Sequence, residues 1–137
     1  MSLTAEEKDI IVEHRLKRAD ETLAEATDLI NLKHWHGAAN RLYYACYYAA
    51  TALLVKNGHI TRTHGGVVGL LGKHFVLTNI ISKEQNKLYQ KLFDLRQGGD
   101  YSDWIDIEEE DIKPLLTPAE QFIASIEKLI QEKKLTK

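Results

Sequence analysis

The stretch that most constrains the fold is Ala38-Ala39-Asn40-Arg41-Leu42-Tyr43-Tyr44-Ala45-Cys46-Tyr47-Tyr48-Ala49-Ala50-Thr51-Ala52-Leu53-Leu54-Val55. Read at a helical period it is apolar on nearly every face, and a helix in water tolerates that only at the centre of a bundle. The spacing predicts a helix over about Ala38 to Lys56, stopped by Asn57-Gly58. Ala38, Leu42, Ala45, Ala49 and Ala52 form a mostly small face that lets another helix approach closely. Tyr44 and Tyr48 follow Arg41 at i+3 and i+7, so the three share one flank.

The other segments read as the helices that cover this one. Thr4-Ala5-Glu6-Glu7 fits a capping box. Behind it Val12, Leu16, Ala19, Leu23, Ala26 and Ile30 step by 4 and 3 along one face, so a long helix is expected to end near Lys33. A turn is expected from His34 to Gly37. Thr61 or Thr63 can cap a third helix through Val67, Leu71 and Phe75, weakened by Gly65, Gly66, Gly69 and Gly72 at about 1 kcal/mol each relative to Ala. Ser82-Lys83-Glu84-Gln85 starts a fourth helix carrying Leu88, Leu92 and Leu95, expected to stop at Gly98-Gly99. Asp106 is expected to cap an acidic turn over Glu108 to Asp111, Pro114 to end or kink it, and Thr117-Pro118-Ala119-Glu120 to begin the last helix. No segment alternates as a strand. The expected architecture is all-α, an antiparallel bundle of four to five helices in one domain spanning 1–137.

Composition excludes several classes. At 137 residues, 44% apolar and 28% charged, the chain suits one globular domain. One cysteine, Cys46, excludes an internal disulfide framework and a cysteine-based zinc site. No apolar run reaches the roughly 18 residues of a membrane span. Thr4, Glu6, Glu7 and Lys8 near the start do not resemble a signal peptide, so a cytoplasmic setting with no membrane partner is expected. The net charge of −2 hides an asymmetry: from Leu29 to Lys83 there is no acid, against Lys33, Arg41, Lys56, Arg62, Lys73 and Lys83. The same window holds His34, His36, His59, His64 and His74. Either it presents a basic surface to a polyanion or much of it is simply buried.

Few residues carry chemistry on local pattern. Cys46 sits mid-helix in an apolar run and reads as packing. The histidines match no metal-ligand spacing, so neither metal nor cofactor is expected. Gly65-Gly66-x-x-Gly69 follows no strand and does not make a dinucleotide cradle. In Arg96-Gln97-Gly98-Gly99-Asp100-Tyr101 an arginine near a helix end precedes an acid and a phenol on a turn, which is also ordinary helix-end chemistry.

Taken in order, the Tyr-Tyr-Ala helix, Leu53-Leu54, Thr63-His64-Gly65-Gly66, Arg96-x-x-x-Asp100-Tyr101 and Ala119-Glu120-Gln121-Phe122-Ile123 resemble the HEPN domain family over roughly Arg15 to Ile130. The resemblance implies a four- or five-helix bundle, usually a homodimer. Its members include metal-independent ribonucleases, toxins of toxin–antitoxin pairs, and partners of small nucleotidyltransferases first described as nucleotide-binding. Arg96, Asp100 and Tyr101 would then be the catalytic set, and Arg41, Tyr44, Tyr48, His64 and Lys73 would hold RNA or a nucleotide. In related toxin pairs the nucleotidyltransferase modifies a tyrosine of this motif, here Tyr101. The family's catalytic motif places a His after four to six intervening residues from the Arg, where this chain has Tyr101, Ser102 and Asp103. A phenol with an ordinary pKa near 10 stays protonated at pH 7 and does not replace imidazole. His64 or His36 could enter from another helix. Two readings stay open: an RNA-binding toxin component with ribonuclease activity, and a non-catalytic helical subunit that binds a nucleotidyltransferase partner or its substrate.

Overall fold

The computed structural model describes the backbone of residues 3–101 and 106–135 and the side chains of 3–96 and 106–132. Five α-helices follow in order: α1 (Ala5–Asn31), α2 (Trp35–Lys56), α3 (His64–Leu71), α4 (Lys83–Tyr101) and α5 (Glu109–Leu135), with a π-helical turn, Gly72–Val76, continuing α3. Among the described residues there is no strand.

α2 is the central helix, as its composition requires. It packs against α1, α3, α4 and α5, most extensively against α1. Ala38, Leu42, Ala45, Ala49 and Ala52 are fully buried. Small side chains there let the backbones of α1 and α2 come close, and the stripe Val12, Ala19, Ala26 and Ile30 meets them, with Leu16 and Leu23 at its edges. The helices are joined by a short turn in which Lys33 adopts a positive φ of 65°. α2 begins at Trp35, so the expected turn over His34 to Gly37 is shorter than its composition suggested.

Capping follows the sequence closely in three places. Thr4 accepts from the Glu7 amide while its own amide donates to the Glu7 carboxylate at 2.8 Å, closing the box. Ser82 and Gln85 make the same reciprocal pair ahead of α4. Thr63 Oγ1 accepts from the Gly66 amide at 2.9 Å and so starts α3 with His64 in its first position. Gly66 is required there: a Cβ would collide with the hydroxyls of Thr61 and Thr63.

Three expectations are corrected. α4 does not stop at Gly98-Gly99 but runs on to Tyr101, because glycine weakens a helix by about 1 kcal/mol without barring helical backbone angles. Asp100 and Tyr101 are therefore in the last turn of α4 rather than on a turn beyond it. Asp106 does not cap the acidic segment: Glu108 precedes the first helical residue, and its amide donates to the Asp111 carboxylate at 3.0 Å. Pro114 does not end that element and Thr117-Pro118 does not begin another; both prolines lie inside one continuous helix. An interior proline costs about 3 kcal/mol. Ile112, Leu115, Ala119, Phe122, Ile123, Ile126 and Ile130 form one buried stripe running through both prolines, and its burial outweighs that cost.

Candidate functional site

The α2 helix presents Tyr43, Tyr44, Tyr47 and Tyr48 on adjoining faces, and arginines from α1, α2 itself and α4 converge on them. Arg96, from α4, donates through Nη2 to the Tyr44 hydroxyl at 3.1 Å. Its guanidinium lies 5.4 Å from the centre of the Tyr44 ring and 5.7 Å from that of Tyr43. Arg41, one turn before Tyr44 on α2, stands 5.4 Å from the same ring. Its Nε and Nη2 donate to the Asn40 side-chain oxygen Oδ1, and it meets Glu25 of α1 at 3.5 Å. Arg18 of α1 covers Tyr48 at 5.4 Å. Guanidinium stacking on phenol rings holds these cations at fixed positions.

His64 completes the cluster. Its Nδ1 is 2.7 Å from the Tyr43 hydroxyl, 21 residues away in sequence, and its ring stands 4.6 Å from that of Tyr47. Tyr43 is fully buried among the rings of Tyr44, Tyr47, Tyr89 and Phe93. Burial pushes its phenol up to about 12, a rise tempered by the neighbouring Tyr89 hydroxyl and by the charge on Arg96. His64 is half-buried. Burial first, and then the Arg96 cation, hold its imidazole below the ordinary value of 6.5. At neutral pH the site therefore combines guanidinium charge with a neutral imidazole and the protonated Tyr43 phenol.

Of the candidate residues, Arg96, Arg41, Tyr44, Tyr48 and His64 are thus brought together, from α2, α3 and α4. His64 does enter from another helix, whereas His36 stays exposed in the first turn of α2. Asp100 and Tyr101 follow Arg96 on α4, and their side chains lie outside the described residues. Lys73 does not join the cluster. It is exposed in the π-helical turn beside His74, whose ring stacks on His59 with centroids 3.9 Å apart. His59 follows the end of α2, and Lys56 at that end is already about 18 Å along the axis from Tyr44. The His59–His74 pair instead forms part of the wall of a cavity of about 390 Å³ floored by Leu53, Phe75 and Leu129.

The acid-free window is likewise not one face. Lys33, Arg62, Lys73 and Lys83 are exposed, so burial does not explain the window, while Lys56 meets Asp9 at 3.7 Å. Lys33 and Lys56 sit at opposite ends of α2, which spans about 33 Å. Tyr43, Tyr47 and Arg18 were not singled out from sequence. The available signal was Tyr43 itself, since a phenol buried amid alanines needs a partner for its hydroxyl.

Among the described residues no group of three or more His, Cys, Asp or Glu side chains could hold a metal, and no helix is long and apolar enough to cross a membrane. Cys46 is buried and its thiol is pushed up by desolvation, which leaves it a packing residue.

Fold and site together define a class: an all-α domain whose central tyrosine-rich helix displays an arginine–imidazole cluster. Residues 12–129 match the HEPN domain model, and the chain belongs to the HEPN domain family. It is 39% identical over 128 residues to a UPF0332 protein of Thermotoga maritima, covering 93% of this chain and 97% of that one. A Methanocaldococcus jannaschii protein with the name "Putative toxin MJ0605" is 32% identical over 114 residues, covering 83% of this chain and 84% of its own. The crystal structure of TT1696 from Thermus thermophilus superposes with a TM-score of 0.73, covering 85% of this chain and 96% of that one. At 16% identity that likeness speaks for the fold alone.

Proposed function

We propose that this protein is the HEPN component of a toxin–antitoxin-type system and that the Arg96 cluster binds RNA or a nucleotide through its phosphates. The observation that carries the reading is the setting of Arg96. Its guanidinium is fixed by the Tyr44 hydroxyl and two phenol rings, and a second arginine stands over the same Tyr44 ring. A planar fork presented in this way suits bidentate contact with a phosphate, and the flanking rings suit stacking of unpaired bases. Two relatives bearing toxin names support the biological class. A homodimer, with a small nucleotidyltransferase as the further partner, is the assembly we assign. Exposed apolar side chains, Ile10, Leu32, Ile60 and Leu77 among them, are consistent with surfaces that become covered.

In the catalytic form of this reading Arg96 stabilises charge at the scissile phosphate while a ribose 2′-hydroxyl attacks, which needs no metal. A second reading, binding without cleavage, is favoured by one specific observation: Tyr101, Ser102 and Asp103 occupy the positions where the family's motif carries histidine. One experiment separates them. Purified protein is incubated with single-stranded RNA in EDTA, with Arg96→Ala beside it. Retention with cleavage, both lost in the variant, supports the ribonuclease. Retention without cleavage supports the binding subunit. No retention at low salt removes the reading.

A further inference from the structure

The hydrogen bond between Tyr43 and His64 has no counterpart elsewhere in the described side chains: a fully buried phenol on the central helix reaches the first residue of another helix at 2.7 Å. Resting on the reading of the Arg96 cluster as a phosphate site, we infer that His64, oriented by Tyr43, is a second anion ligand there and takes up a proton from solvent when a phosphodiester binds.

Tyr43 keeps its proton across the physiological range, because burial pushes its phenol up to about 12. A buried O–H must find an acceptor, and His64 Nδ1 is within reach. When Nδ1 accepts, the neutral ring carries its hydrogen on Nε2, so the nitrogen away from Tyr43 is a donor. When the ring is protonated, Nδ1–H donates and the Tyr43 oxygen accepts, so the same contact survives in both states. The imidazole is thus held in one orientation whether neutral or charged.

The electrostatic setting makes the two states depend on the ligand. Tyr43, Tyr44 and Tyr47 face His64 from α2, and the Arg96 charge acts on it from α4. Tyr43, pushed up to about 12, keeps its proton between about pH 5 and 8, so within the Tyr43–His64 pair it is His64 whose charge changes. The Arg96 cation disfavours imidazolium. A phosphodiester seated on Arg96 cancels that repulsion and adds its own attraction, so binding raises the proton affinity of His64. Linkage then requires the converse: affinity for the anion rises as pH falls, by at most about tenfold per pH unit for one proton. The Thr63 cap and Gly66 hold His64 at the start of α3, which fixes the distance over which this coupling acts.

The test uses an oligouridylate without terminal phosphate, because neither its diesters nor its bases titrate in this range. Binding to the full-length protein is measured by fluorescence anisotropy at fixed salt between about pH 5.5 and 8. The wild type is expected to lose affinity several-fold as pH rises. His64→Gln places an amide donor near the Nε2 position without a titrating charge. It is expected to bind more weakly than the wild type at pH 5.5 and to show little pH dependence. In a parallel nitrogen-15 titration of the wild type, the His64 midpoint is expected to move up when the oligonucleotide is added. Tyr43→Phe is expected to mix the two neutral tautomers in the same spectra. If the wild type binds but His64→Gln keeps the full pH slope, or the His64 midpoint stays put on binding, the inference is overturned and the phosphate-site reading stands. If the wild type binds at no pH, both fall.

Discussion

Glu127 on α5 meets Asp20 of α1, and this carboxyl pair yields a stability prediction that can be worked through. Burial, then the Asp20 charge and a hydrogen bond to Asp20, raise Glu127 from an ordinary 4.5 to about 7. At about 1.36 kcal/mol for each tenfold change in proton affinity, that rise sets a ceiling of about 3.4 kcal/mol. Glu127 is only half-buried and Asp20 is exposed, so solvent screening reduces the expected effect to about 1 kcal/mol. The sign follows from linkage. The folded state holds the Glu127 proton more tightly than the unfolded chain, so this contribution is fully present below about pH 4.5 and is lost as pH rises to about 7. Glu127→Gln keeps a hydrogen-bonding group, now an amide, and removes the charge. Urea unfolding at equal protein concentration should find the variant more stable than wild type by about 1 kcal/mol at pH 8 and equal to it at pH 4. A gain of the same size at both pH values would rule out ionisation as its source. A loss at pH 8 would contradict the expected sign outright.

Three further outcomes are expected. The Thr22 hydroxyl is buried on α1 with no hydrogen-bond partner among the described residues, so Thr22→Val should raise unfolding stability by about 1 kcal/mol, and a loss in thermal unfolding would contradict that. Pro114→Ala should stabilise the protein, by up to about 3 kcal/mol, since the residue lies inside a helix that packing already holds; destabilisation would mean the proline sets a needed local geometry. Arg41→Ala should weaken RNA binding several-fold while Lys73→Ala leaves it within about twofold in filter binding, because Arg41 stands over Tyr44 and Lys73 lies away from it. Equal losses would restore the single basic face.

Much of the fold was legible because α2 carries its own instruction. A helix apolar on every side demands neighbours, and the stripe from Val12 to Ile30 supplies the first of them. The boxes at Thr4 and Ser82 are local, so three-residue spacing sufficed to find them. Where local rules competed with packing they misled. Pro114, Pro118 and the glycines after Gln97 each read as a break, yet burial of Ile112, Leu115 and Phe122 carries α5 through its prolines. The site was legible only in parts. Arg41, Tyr44 and Tyr48 share a helix, so their spacing put them on one flank. His64 and Arg96 come from other helices, and only the packing of α3 and α4 on α2 joins them. Lys73 was attached by charge alone, and the structure places it in the π-helical turn away from the tyrosine cluster.

Whether Arg96 holds phosphate is tested most directly by the salt dependence of oligouridylate binding by wild type and Arg96→Gln, measured together with their melting temperatures. Wild-type affinity is expected to fall steeply with salt. Arg96→Gln is expected to bind at least about tenfold more weakly, with a salt slope smaller by about one and a nearly unchanged melting temperature. Equal affinity and equal slope in the two proteins would contradict a phosphate site at Arg96.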